Sequence, residues 1–127
     1  MSKHGLFDAA FRRSLPAGEI IESQSSASSS AEGAGVQERA ESRYIFSPAE
    51  RTSADLEQLL EAVIDDVQQH DVEAHHEPRQ REPVAHRVAG SIRYTAGEAT
   101  GELTYRLAKD EQTARIEIDL STRERRP

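Results

Sequence analysis

The stretch "HDVEAHHEPRQREPVAH", residues 70–86, holds the side chains in this sequence whose types could do chemistry. Imidazole and carboxylate groups together suit Zn, Ni or Cu ions. The spacing argues against such a site, because His75 and His76 are adjacent and diverge in an extended chain, and no HxxxH or HExxH pattern is present. We therefore expect a solvated, acidic connection here. The alternative is a metal- or small-ligand-binding site formed by His70, His75, His76 and His86.

Other catalytic chemistry has little support. Asp65 and Asp66 are adjacent, and adjacent helical residues point about 100° apart, so the two carboxylates cannot easily share a substrate. The serines of residues 23–30 have no held base and no oxyanion hole, and no G-x-S-x-G or phosphate-binding loop is present. The lack of cysteine excludes disulfides and thiol catalysis. We predict a protein that is not an enzyme and uses no cofactor.

The segment "HGLFDAAFRRSL", residues 4–15, is amphipathic on a helix. About ten residues cannot hold a helix alone in water, so the segment should order only against a surface. That surface is a groove on a partner protein, which we favour, the sheet of its own domain, or lipid headgroups. The predicted docking residues are Leu6, Phe7, Phe11, Arg12, Arg13 and Leu15.

The next stretch, "SQSSASSSAEGAGVQERAES" at residues 23–42, predicts a flexible tether for that segment. Its Ser- and Gly-rich composition buries too little apolar surface to offset the entropy of ordering. The chain is therefore expected to comprise a docking segment (1–22), a flexible linker (23–42), a small α+β domain (43–122) and a basic tail (123–127).

One helix dominates the predicted domain. Apolar residues recur from Leu56 to Val67 at i, i+3, i+4, i+7, i+8 and i+11, which predicts an amphipathic helix that ends near His70. A capping box from Ser47 to Glu50 marks its start, with Ser53 as a second candidate. The preceding "RYIF" predicts a short strand.

Three runs with a period of two follow the helix and predict antiparallel strands joined by hairpins. Arg93, Arg106 and Arg115 could line up on their outer face and bind an anion, but acids interrupt the stripe, and a solvated face is the favoured interpretation. The expected fold class is α+β: one amphipathic helix packed on a three- to four-stranded antiparallel meander, with a flexible N-terminal extension.

The pattern from "YIFSPAERTSADLEQLLEAVIDDV" to "ARIEIDLS" resembles the small amphi-Trp domain, a family without firmly assigned chemistry. The resemblance spans residues 43–121 and implies the same helix-and-sheet arrangement. The signature Trp that closes the family's last strand has no counterpart, because this sequence contains no Trp and has Thr122 near that place. No functional residue can be carried over.

Charge and hydropathy limit the partners. The net charge is −7 at pH 7 and the acids concentrate in residues 50–77, which is the opposite of a nucleic-acid-binding pattern. No apolar stretch approaches the ~20 residues of a membrane span. We predict a cytoplasmic, non-catalytic accessory, adaptor or structural subunit that binds a protein partner or a second copy through residues 4–15. A peripheral membrane protein anchored by the same segment is the further alternative.

Overall fold

The structure, a computed structural model, describes residues 3–33, 35–50, 56–81 and 87–127. All strands in the described ranges pair antiparallel in one sheet, in the spatial order β1-β2-β6-β5-β4-β3. The last strand in the sequence, β6, therefore lies in the middle of the sheet and joins the first hairpin to the remaining strands. The elements in chain order are α1 (His4–Ser14), β1 (Gly18–Glu32), β2 (Gly35–Pro48), α2 (Leu56–Gln68), β3 (Glu73–Arg81), β4 (Arg87–Ala96), β5 (Ala99–Lys109) and β6 (Ile116–Arg126).

Both helices pack on the same face of the sheet, which we call the helix face. Helix α1 contacts β2 and β6, α2 contacts β3 and β4, and the two helices contact each other. The core forms where their apolar side chains meet the inward positions of the strands. Alternation along each strand sends the intervening residues to the opposite face, which carries no helix and which we call the open face.

The predicted central helix is confirmed by α2. It runs from Leu56 to Gln68, and its stripe from Leu56 to Val67 is buried against the sheet, with Ile64 half-buried. The predicted capping box is wrong, because Ser47 and Pro48 belong to β2. Ser53, the second predicted start, lies outside the described residues.

The predicted fold class is wrong. The described chain is mostly sheet, with six antiparallel strands and two short helices, where one helix on a three- to four-stranded meander was expected. The three period-two runs correspond to β4, β5 and β6, and β2 extends the predicted short strand "RYIF" back to Gly35, but β1 and β3 come from segments that were predicted to be irregular. One of them is β3, which occupies most of the predicted connection after α2 and pairs with β4.

The predicted flexible linker at 23–42 is also wrong. Its first half belongs to β1 and its second half to β2, and the two strands pair in continuous register from Glu22 opposite Ile45 to Glu32 opposite Gly35. Gly33 begins the turn between them with φ of 59°, a conformation that glycine adopts without strain. The ordering entropy is offset by the main-chain hydrogen bonds of this ladder, which a count of apolar side chains does not register.

The ends of the chain also differ from their predicted roles. Residues 4–14 are not a detached docking segment but form α1, which is part of the core. Residues 123–126 are not a tail but the end of β6, paired with both β2 and β5. Neither α1 nor α2 has the length and apolar character that a membrane-crossing helix needs, and the described residues form no other helix.

Candidate functional site

The open face is the candidate site because it is built from rows of polar side chains that run across the strands. One row, which we call the hydroxyl row, crosses five strands and has hydroxyl side chains on four of them. Ser26 is opposite Glu41, Glu41 is opposite Ser121, and Thr104 lies between Ser121 and Ser91. The hydroxyl row consists of Ser26, Ser121, Thr104 and Ser91, of which Ser91 is fully buried. Because these side chains are short, the surface of the sheet is lower along this row than along its neighbours.

Rows of arginines flank the hydroxyl row on both sides. On one side Arg39 is directly opposite Arg123, and Glu102 separates Arg123 from Arg93. On the other side Asp119 separates two more arginines. Long side chains beside short ones produce a groove, and a cavity of about 380 Å³ lies over the hydroxyl row. Its polar lining includes Gln24, Ser26, Glu41, Arg43, Thr104, Arg106, Asp119 and Ser121.

Acidic neighbours already pair with two of these arginines. Arg43 donates to a Glu117 carboxylate oxygen at 2.5 Å, and its Nε lies 3.4 Å from Asp119 Oδ1. Arg93 lies 3.2 Å from Glu77 Oε1, and its Nε is 3.8 Å from Glu102 Oε2. These exposed pairs contribute little to stability but reduce the positive charge that either arginine offers to a ligand.

Arg39 and Arg123 differ from Arg43 and Arg93 in having no ion-pair partner among the described residues. Both side chains are exposed, they are register partners on adjacent strands, and neither forms an ion pair or side-chain hydrogen bond within the described part of the chain. Like charges directly opposite each other on a sheet repel. An anion placed between the two guanidinium groups would remove that repulsion and gain two charge-assisted hydrogen-bonding partners.

Asp119 lies between Arg43 and Arg106 on the other side of the groove, and its surroundings shift its pKa. Burial and the neighbouring Glu117 carboxylate raise the pKa of Asp119, while Arg43 and Arg106 act in the opposite direction. The Asp119 side chain is 39% exposed. It therefore remains accessible to a donor group on a ligand.

A buried polar cluster lies on the helix face beneath the start of α1. The His4 ring bridges two hydroxyls, with Nδ1 2.7 Å from Thr122 Oγ1 and Nε2 2.6 Å from Ser42 Oγ. A Ser–His contact of this length has the geometry of an activated nucleophile. His4 is only 8% exposed and Ser42 only 6%, so no substrate can reach the hydroxyl, and the cluster is structural. Burial lowers the pKa of His4, with Asp8 opposing.

Glu124 extends this cluster at the end of β6. It is a buried carboxylate whose Oε1 accepts the backbone N–H of Lys3 and the hydroxyl of Tyr94, each at 2.9 Å. Arg126 places its Nε 3.3 Å from Glu124 Oε2 and donates to Glu38 at 2.5 Å. Lys3 precedes α1 and supplies no side-chain cap of its own. A strand residue thus holds the start of the first helix.

The predicted docking residues are not available as a set. Phe7 and Phe11 are fully buried in the core, and Phe7 packs on Tyr94 with ring centroids 5.1 Å apart. Leu6 and Leu15 are half-buried against the core. The domain's own sheet and α2 thus cover the apolar residues of the predicted docking segment, and docking through this segment stays a prediction. Arg12 lies over the Tyr44 ring at 4.8 Å and pairs with Asp8, and Arg13 pairs with Asp66 at 3.0 Å.

The predicted metal ligands do not converge where the structure describes them. His70 donates to the Asp66 backbone carbonyl at 2.8 Å from the end of α2. His75 and His76 are on β3 and point to opposite faces, where His76 hydrogen-bonds the Tyr105 hydroxyl. His86 lies outside the described residues. Within the described ranges, no three His, Asp or Glu side chains are placed to share a metal ion.

Tyr105 and His76 form a small contact of their own at the edge of the core. Their ring centroids are 5.6 Å apart. Burial raises the pKa of Tyr105 to about 12 and lowers the pKa of His76. Both groups are therefore neutral near pH 7, and the contact is a neutral hydrogen bond.

Only part of the open face is predictable from the sequence. Arg93 and Arg106 were identified by alternation and do face outward, whereas Arg115 lies just before β6. Arg39 was missed because it lay in the predicted linker, and Arg123 because it lay in the predicted tail. Alternation across "VQERAESRY" was the available signal for Arg39.

Comparison with known proteins gives no relative for this chain. No family model matches it, and neither a curated protein nor a solved structure is significantly similar. The resemblance to the amphi-Trp domain stays a prediction, and function has to be inferred from the geometry.

Proposed function

We propose that this chain is a non-catalytic accessory protein that binds an acidic segment of a partner protein on its open face. The observation that carries the proposal is the pair Arg39 and Arg123, two exposed arginines in direct register with no acidic partner in the described residues. Carboxylates of a partner would insert between them and form bidentate hydrogen bonds with the guanidinium groups.

The hydroxyl row supports a protein partner. Ser26, Ser121 and Thr104 offer donors and acceptors along a groove open to solvent, which suits a peptide main chain or polar side chains. Glu41 and Asp119 stand in the same groove and would repel a uniform polyanion. A segment of mixed polarity with a few carboxylates fits this pattern better than nucleic acid does.

The proposal differs from the tethered adaptor expected from the sequence, because the binding surface is the sheet and not residues 4–15. The apolar residues of α1 are used internally. The protein would act through a surface that is polar and solvated when free, as is common for transient interfaces.

Binding of a labelled peptide of mixed polarity, with two or three glutamates among serine and alanine residues, tests the proposal when measured by fluorescence anisotropy at low ionic strength. We expect the variant Arg39→Gln/Arg123→Gln to bind at least about tenfold more weakly, which corresponds to about 1.4 kcal/mol. Affinity of the unmodified chain should fall with added salt.

The matched control is Arg13→Gln/Arg115→Gln, which removes the same charge from exposed positions away from the groove. It should bind within about twofold of the unmodified chain, because neither Arg13 nor Arg115 lines the groove or belongs to the arginine pair. Equal loss in the two variants would mean that only net charge matters, and no binding by the unmodified chain would refute the proposal outright.

A further inference from the structure

The two edges of the sheet differ in how well they are protected. Edge strand β3 has a register shift between Pro78 and Gln80, and its proline has no N–H to offer. Edge strand β1 is longer, and its one irregularity lies near its start, between Ile20 and Glu22. From Glu22 to Glu32 it is regular, and in the described sheet it has a neighbour on one side only.

The side chains of β1 do nothing to block that free edge. Between Glu22 and Glu32 the sequence is SQSSASSSA, without a lysine, a proline or any charge. Natural sheets protect exposed edges with these residues or with bulges, because a bare edge is a template for another strand. Residues 21–31 are all exposed, so this part of β1 buries no apolar side chain, and the only strand that it pairs with in the described sheet is β2.

We propose that β1 pairs antiparallel with β1 of a second copy of this chain, so that one continuous sheet spans both copies. The pairing gives the unused main-chain groups of β1 their partners and stabilises a strand whose Ser and Ala residues have low intrinsic strand preference. This surface is separate from the arginine pair of the proposed function.

A second copy fits this edge better than a foreign strand does. Recognition of a foreign peptide at a sheet edge takes its specificity from side-chain pockets, whereas the side chains of β1 are small and uniform. Two identical uncharged segments pair around a two-fold axis without steric or charge conflict. The acidic helix α2 packs over β3 and β4, at the opposite side of the sheet, so the acidic regions of the two copies stay apart.

Charge also selects the register. A two-fold axis at Ala27 would place Glu22 opposite Glu32 of the second copy, and like charges in direct register repel. An axis at Ser26 places Glu22 opposite Ser30 and removes the conflict. Since Ser26 begins the hydroxyl row, this register would bring the hydroxyl rows of the two copies end to end, with both open faces on the same side.

Sedimentation velocity of the full chain over a range of concentrations tests the pairing. We expect a dimer, and we expect Ser26→Lys to weaken it at least about tenfold because two lysines would then face each other at the axis. The control Thr104→Lys introduces the same charge on the open face of β5, away from the edge, and should leave the dimer intact.

Cysteine cross-linking tests the register, and the chain has no cysteine to interfere. Ser26→Cys should form a disulfide-linked dimer under mild oxidation. Ser30→Cys should not, because the two sulfurs would lie about 27 Å apart along the strands, far beyond disulfide reach. The proposal is overturned if the chain stays monomeric, in which case the edge would be open to a different protein. It is also overturned if Ser26→Lys does not weaken the dimer.

Discussion

At the scale of single residues, Glu124 connects parts of the chain that are far apart in sequence. Its carboxylate accepts hydrogen bonds from the Lys3 backbone N–H and the Tyr94 hydroxyl, and it neighbours Arg126. Burial together with this carboxylate raises the pKa of Tyr94, so the phenol remains protonated and remains a donor. The start of α1, strand β4 and strand β6 thus meet on one buried acid.

Glu124→Gln tests this role. The amide keeps the size of the side chain but replaces one accepting oxygen with a donor, which leaves a buried partner unsatisfied. We expect the free energy of unfolding, measured by urea denaturation, to fall by about 1–3 kcal/mol. Glu98→Gln, in the exposed turn between β4 and β5, is the control and should change it by less than about 0.5 kcal/mol. Equal stability of the two variants would contradict the role given to Glu124.

At the scale of elements, α1 shows how burial decides what an amphipathic segment does. The segment is too short to be helical by itself, and it becomes helical because α2 and the sheet supply an apolar surface for Phe7, Ala10 and Phe11. Its polar residues stay outside, where Arg12 pairs with Asp8 on the same helix and Arg13 pairs with Asp66 on α2. A segment with the pattern of a membrane or partner anchor is here a layer of the core.

Phe7→Ala separates the two interpretations of this segment. A tethered anchor would tolerate the change without loss of stability. A core helix should lose about 3–5 kcal/mol of unfolding free energy, because a fully buried ring is removed. Ile21→Ala is the matched control, since Ile21 is a large apolar residue that is 39% exposed on β1. Thermal or urea denaturation that gives equal losses would argue against α1 as part of the core.

At the scale of the whole molecule, the pH dependence of stability should reflect buried histidine. Burial lowers the pKa of His4 and of His76. The unfolded chain then binds protons near pH 6.5 while the folded chain resists them, so stability is full above this pH and falls as the pH drops below it. His76 contributes less, because its side chain is exposed.

Urea denaturation between about pH 7.5 and about pH 5.5 measures this effect. We expect the unfolding free energy of the unmodified chain to decrease toward the acid end. His4→Gln should flatten that decrease, whatever its effect on stability at the higher pH, because it removes the titrating group. His70→Gln, at an exposed position after α2, is the control and should keep the original slope. The same slope in all three proteins would show that His4 does not cause it.

The sequence by itself determined the features that depend on local periodicity. The apolar stripe of α2 and the alternation along β4, β5 and β6 are visible in short windows, and so are the outward positions of Arg93 and Arg106. The open face could therefore be predicted in part.

Only the tertiary structure decided the rest, because it depends on partners that are distant in the chain. Strand β1 exists through its hydrogen bonds to β2, and no pattern in its serines signals them. Arg39 faces Arg123 because β6 inserts beside β2, which no local window contains. Periodicity is a property of neighbouring residues, whereas strand pairing and burial are properties of the whole fold.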